Sequence, residues 1–253
     1  MLKACLNGSR SRDEHPAVPV TPAEVGAAAA AARAAGAWMV HVHPRDETGG
    51  ESLEAEHVVA AVEAVRAAAP GTRVSVSTRD GIVHGAATKA RLVAEWPGPG
   101  DGGPDCASVN WHEAGAVLVA EGLRHNGIGV EAGIWTPDAA RDVVASGWLE
   151  RVERVLVELL PGASPGADGP SAAAAVLAAL EGVPGPFVVH GEDAWAWPVL
   201  HWAAERGHDL RIGLEDTLLA PDGRPAADNA ELVRAALTEP PLASRWAMSA
   251  DVR

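Results

Sequence analysis

Eight times along the chain a short apolar run is followed by a segment of helical character, and this alternation constrains the fold more than any single motif. The apolar runs cover residues 2–6, 37–42, 73–77, 106–110, 128–132, 155–159, 187–189 and 210–214. Between them helices are expected over 22–35, 53–69, 86–95 and 114–123, after a cap at Thr136, and over 171–180, 195–206 and 227–237. Local signals agree with these limits. Thr21 can cap the first helix, with Pro22 at its first position and Glu24 completing a capping box, and Gly36 stops it. Strands that alternate with helices in this way run parallel, because each helix carries the chain back to the same edge of the sheet. Eight such units in 253 residues predict an α/β fold, a single-domain (β/α)8 TIM barrel over residues 1–253. An open doubly wound sheet is the alternative, and no GxGxxG follows the first strand to support its nucleotide-binding form.

In a barrel of this kind chemistry sits at the carboxyl ends of the strands. The runs here end in Asn7, in His41 and His43, in Ser77 and Thr78, and in Asn110, Glu131, Glu158, His190, Arg211 and Glu215. Polar groups collected on one rim of an otherwise apolar barrel point to an enzyme. In "WMVHVHPRD", residues 38–46, strand alternation puts His41 and His43 on one face. In "LRIGLED", residues 210–216, the same alternation puts Arg211, Gly213 and Glu215 on one face. The last strand is expected across the rim from the second, so His41, His43 and Glu215 could form a two-histidine, one-carboxylate metal site with open positions. Zinc is the default ion for such donors, and iron or manganese suit them too. The other reading is a salt-bridged Glu215 with histidines bonded to their neighbours, and HxH spacing alone leaves both open.

Composition narrows the partners. A formal net charge of −14 argues against a nucleic-acid surface and a polybasic membrane patch. Cys5 and Cys106 make no CxxC, so neither a disulfide framework nor a thiolate metal site is expected. No signal peptide precedes Leu2 and no apolar run reaches membrane-spanning length, so a cytoplasmic protein is expected. Trp195, Trp197 and Trp202 read as packing residues rather than as the lining of an acyl pocket.

Five stretches, in order, resemble the β-keto acid cleavage enzymes, a family that includes 3-keto-5-aminohexanoate cleavage enzyme. They are "PVTPAEV" at 19–25, "AGAWMVHVHPRD" at 35–46, "VEAGIW" at 130–135, "HDLRIGLEDTL" at 208–218 and "DNAELV" at 228–233. The resemblance implies a zinc-dependent TIM barrel that exchanges a β-keto acid and acetyl-CoA for acetoacetate and a new acyl-CoA. It also implies a homodimer or homotetramer. Carried over residue by residue, His41, His43 and Glu215 match the family's zinc ligands and Glu131 a pocket glutamate. Arg211 and Asp216 match an arginine–aspartate pair linked to proton abstraction. Ser77, Thr78 and Asn110 are expected to donate to substrate carboxylate or developing oxyanions. Two departures stand out. "STRDG" at 77–81 replaces a usual Thr-Gly-Gly, which puts Arg79 and Asp80 where carboxylate or CoA would be held, and the chain is somewhat short. The loop "NGSRSRDEH" at 7–15 carries Arg10 and Arg12; one reading has Arg10 bind an anionic tail on the keto acid, the other leaves both as solvated loop arginines.

Two rival readings remain open on the residues. An amidohydrolase-like metal hydrolase would need further His or Asp ligands at later strand ends, and His190 could supply one. A non-catalytic barrel would follow if "STRDG" blocked the substrate site.

Overall fold

The computed structural model describes residues 1–164 and 166–238; the remainder of the expected domain, 165 and 239–253, lies outside the described residues. Eight parallel strands close into a barrel in chain order: β1 (Leu2–Cys5), β2 (Met39–Val42), β3 (Arg73–Ser77), β4 (Cys106–Asn110), β5 (Gly129–Ile134), β6 (Arg154–Leu159), β7 (Val188–Gly191) and β8 (Asp209–Ile212). The helices α1 (Pro22–Ala35), α2 (Ala55–Ala68), α3 (Ala86–Ala94), α4 (Ala116–His125), α5 (Pro137–Ala145), α6 (Gly169–Ala179), α7 (Ala196–Glu205) and α8 (Asn229–Thr238) alternate with them. This is the expected (β/α)8 barrel. Thr21 caps α1 in a full capping box, and Gly36 ends it in a left-handed conformation.

Alternation along the strands separates two environments. Ala4, Val40, Val42, Val74, Val76, Val130, Val157 and Ile212 are fully or almost fully buried in the apolar layer under the helices. Each of these Val and Ile side chains withdrawn from water contributes about 1.5–3 kcal/mol. The residues between them point into the barrel. There Lys3, His41, Ser75, Ser77, Glu131, His190 and Arg211 are all buried, so the interior is polar where such barrels are commonly filled by Val, Ile and Leu. Buried charge of this kind survives only if it is paired.

Two expectations about the last strand change. It ends at Ile212 rather than at 214, because the chain turns at Gly213: the amides of Asp216 and Thr217 both donate to the Gly213 carbonyl. A Cβ on Gly213 would stand 2.0 Å from the Cys5 carbonyl oxygen, so only glycine lets the turn close on β1. Nor does β8 face β2 across the rim. Both pair with β1, so Glu215 reaches the histidines over a single intervening strand. Asn229, opening α8, fixes this turn by accepting from the Leu214 amide at 2.8 Å and donating to the Leu6 carbonyl at 2.9 Å. Among the described residues no helix is long and apolar enough to cross a membrane.

Candidate active site and metal centre

At the carboxyl end of the strands lies a cavity of about 300 Å³, with His41, His43, Ser77, Arg79, Asn110, Glu158, Glu192, Arg211 and Glu215 in its wall. His41 and His43, one residue apart on β2 and its end, stand with ring centroids 5.2 Å apart. Their Nε2 atoms lie 3.9 and 3.4 Å from Glu215 Oε1. One donor atom from each of the three residues falls within 4.8 Å of the others. Gly8 makes room for the third: a Cβ there would stand 2.5 Å from Glu215 Cγ. Asn7 pins the backbone of His43, accepting from its amide and donating to its carbonyl, both at 2.9 Å.

This trio fits a divalent metal on three counts. The Nδ1 atom of each histidine is held from behind, His41 at 3.0 Å from Ser75 Oγ and His43 at 2.5 Å from Glu51 Oε1, which leaves both Nε2 atoms facing inward. Glu215 Oε2 is buried and has no hydrogen-bond partner among the described residues. Burial also pushes the His41 pKa well below its ordinary value, so its lone pair is free. His43 differs: burial opposes its charged form, but Glu215 and Glu51 outweigh it and raise its pKa. Burial likewise opposes charge on Glu215, and Arg211 with the two histidines still holds its pKa well below the carboxylate range.

Arg211 is the electrostatic hub. Its NH2 donates to Glu215 Oε1 at 2.5 Å, its Nε to Asp216 Oδ1 at 3.0 Å, and its NH1 lies 3.7 Å from Glu158 Oε2. Asp216 is fully buried behind Arg211, outside the cavity wall, and its Oδ2 has no hydrogen-bond partner among the described residues. His190 bridges outward, with Nδ1 3.4 Å from Asp216 Oδ1 and Nε2 3.5 Å from the cavity-lining Glu158. Among the described residues the cluster of potential metal donors is His41, His43 and Glu215, and His190 lies outside it.

The remaining expected residues divide. Ser77 and Asn110 line the cavity. Thr78 does not: it is fully buried and its hydroxyl donates to the Ser108 carbonyl at 2.6 Å. Glu131 also stays out of the wall, deep in the barrel, with Lys3 Nζ at 2.5 Å and Arg154 NH1 at 3.1 Å. Arg10 lines the cavity, but its guanidinium is already shared by Glu14, Asp193 and the Glu215 carbonyl, which weakens it as a receptor for an anionic tail. In "STRDG", Arg79 lines the cavity and reaches across to both oxygens of Glu51, the carboxylate behind His43. Asp80 turns away and joins Lys89 and Glu113. Arg79, His43 and Glu51 form one chain, and in it the Glu51 pKa falls to about 2 despite burial.

Sequence reasoning missed Ser75, Lys3, Glu51 and Glu192. Ser75 and Lys3 carried a legible signal, polar residues at inward positions of apolar strands. Glu51 carried none, since an isolated antiparallel bridge between Arg45 and Glu51 brings it in from a loop. Glu192 follows β7 and faces the cavity, and among the described residues no hydrogen bond or ion pair reaches its carboxyl. Burial, then the nearby Glu158 and Asp216 carboxylates, push its pKa up to about 9. The unfolded chain loses this proton near the ordinary carboxylate value and the folded chain keeps it, so the contribution to stability is full below about pH 4.5 and is lost as pH rises to about 9. Glu192→Gln, which cannot ionise, is therefore expected to gain stability over the parent as pH rises from 5 to 9. Urea midpoints of both proteins, held metal-free with a chelator, check this, and parallel pH profiles would refute it.

The fold and site together define the class: a TIM-barrel enzyme with a polar cavity and a potential His-His-Glu metal centre at the strand ends. The chain belongs to the beta-keto acid cleavage enzyme family, whose sequence profile matches residues 1–245. It is 24% identical over 245 residues to the 3-keto-5-aminohexanoate cleavage enzyme of Acetoanaerobium sticklandii, covering 92% of this chain and 88% of that protein. A more local similarity, 38% over 80 residues, links it to the 3-oxoadipate:acetyl-CoA acetyltransferase of Cupriavidus necator, over 31% of this chain and 28% of that one. Among solved structures, the binary complex of ObcA with oxaloacetate shares the fold at a TM-score of 0.71 and 19% identity, over 87% of this chain and 62% of that chain.

Proposed function

We propose that this protein is a zinc-dependent β-keto acid cleavage enzyme that converts a β-keto acid and acetyl-CoA into acetoacetate and a new acyl-CoA. The observation that carries the reading is the convergence of His41, His43 and Glu215 beside the Arg211–Asp216 pair at one cavity. Acetyl-CoA as co-substrate is supported by the similarity to the 3-oxoadipate:acetyl-CoA acetyltransferase of Cupriavidus necator. The expected single domain over 1–253, cytoplasmic location and assembly as a homodimer or homotetramer belong to the same proposal. So does the absence of nucleic-acid and membrane partners, which the charge of −14 supports.

His41, His43 and Glu215 would hold the metal, which when bound supplies Lewis-acid polarisation of the keto acid's oxygens. Asp216 is the base for the CH₂ between keto and carboxylate groups, the proton reaching this buried carboxylate from the wall by way of Glu158 and His190. Arg211 orients the carboxylate by donating to its Oδ1. The resulting carbanion forms a C–C bond to the thioester carbonyl, and CoA leaves as thiolate. That thiolate adds to the original keto carbon. The C–C bond from this carbon to the former CH₂ then breaks, its electron pair staying with acetoacetate, which regains the proton. Ser77 and Asn110, at the strand ends, offer donors to the two oxyanions formed. Thr78, just past β3, ties that strand's end to the middle of β4 instead.

The test is a coupled assay of purified, metal-analysed protein with acetyl-CoA and a panel of β-keto acids, reading acetoacetate. Thioester-dependent acetoacetate from one substrate is expected. Turnover of the same panel without any thioester would replace this reading by the hydrolase.

A further inference from the structure

We propose that Ser75, backed by Glu131 and Lys3, is a positioning residue that fixes His41 as an Nε2 metal donor, and that Glu131 acts through it rather than on substrate. This rests on the metal-dependent reading above, and the two fail separately in the test below.

Ser75 sits in the middle of β3, opposite His41 in the β2–β3 register, and is fully buried. Its Oγ lies 3.0 Å from His41 Nδ1 and donates a short hydrogen bond to Glu131 Oε2. Lys3 Nζ reaches both, at 3.3 Å from Ser75 Oγ and 2.5 Å from Glu131 Oε2. Arg154 holds the other Glu131 oxygen. The directions of these bonds follow from the charges. Burial opposes ionisation of Glu131, but Lys3 and Arg154 overcome it and depress its pKa, so the carboxylate can only accept. Ser75 must then give its one proton to Glu131, and its oxygen is left to accept from His41 Nδ1–H. A neutral imidazole with its proton on Nδ1 has its lone pair on Nε2, the atom that faces Glu215. One hydroxyl therefore relays the Glu131 charge to the tautomer of a metal ligand.

Placement gives the same answer for Glu131. Its side chain is wholly inaccessible and absent from the cavity wall, whereas Ser77, two residues on from Ser75, does line the cavity. Both Glu131 oxygens are taken, Oε2 by Lys3 and Ser75 and Oε1 by Arg154, so none is left for substrate, and the carboxylate is one hydroxyl away from His41.

The experiment measures Zn²⁺ affinity by competition with a chromogenic chelator, and the absorption spectrum of the Co²⁺-loaded protein, for the parent, Ser75→Ala and Ser75→Thr. Ser75→Ala leaves the Lys3–Glu131 pair intact but removes the acceptor. It is expected to lose about 10- to 100-fold in affinity, the range for groups behind a metal ligand, with an altered Co²⁺ spectrum. Ser75→Thr keeps the hydroxyl and is expected to restore both. Parent-like affinity in Ser75→Ala overturns the inference while leaving the metal reading standing, and so does a Ser75→Thr protein as weak as Ser75→Ala. A parent that binds neither ion overturns the metal reading itself and the inference with it.

Discussion

His41→Ala and Glu215→Ala are each expected to abolish stoichiometric metal binding and to lower kcat/KM on the productive β-keto acid by about 10³-fold or more. The estimate starts from losses of 10- to 100-fold when only a group behind a ligand is removed, and a ligand itself contributes more. The two variants should differ in stability. His41 is a buried neutral ring, and removing it leaves a cavity and an idle Ser75 hydroxyl. Removing Glu215 takes one of the carboxylates from Arg211, though Asp216 remains at 2.9 Å to pair it. Metal content by atomic absorption, with circular dichroism to confirm the barrel, decides the matter. Full metal and full activity in either variant would remove these residues from the metal centre.

Asp216→Asn separates proton transfer from metal binding. The amide can still accept from Arg211 through its oxygen, but it cannot act as a base. A kcat loss of about 10²- to 10⁴-fold is expected, the usual range for a general base, with metal content unchanged and KM little altered. Because Asp216 is buried behind Arg211 and joined through His190 to Glu158, its proton must pass between wall and interior. Steady-state kinetics on the metal-loaded variant tests the assignment. Unchanged kcat would move the base to another residue, and Glu158 in the cavity wall is then first in line.

Much of the centre was readable before the fold was known, because strand alternation is a local rule. HxH spacing places His41 and His43 on one side of β2 whatever the barrel does, and "LRIGLED" brings Arg211, Glu215 and Asp216 together within six residues. The exact reach of Glu215 was less accessible. It comes from a turn at Gly213, closed against Cys5 and fixed by Asn229 from the start of α8, and these are contacts between the two ends of the chain. Glu131 and Thr78 show the limit most clearly. Each stands at a position where a polar side chain suggests a role toward substrate, and the structure turns one to Lys3 and Arg154 and the other to the Ser108 carbonyl.

The sequence by itself determined the eight βα units, the parallel closed barrel and the inward histidine pair, since periodicity, caps and turn residues act over a few positions. Tertiary structure alone decided what stands behind each histidine: Ser75 and Glu131 behind His41, Glu51 and Arg79 behind His43. Those partners lie on different strands and loops. Whether a buried charge is bare or paired depends on which segments barrel closure brings side by side, and no local pattern encodes that.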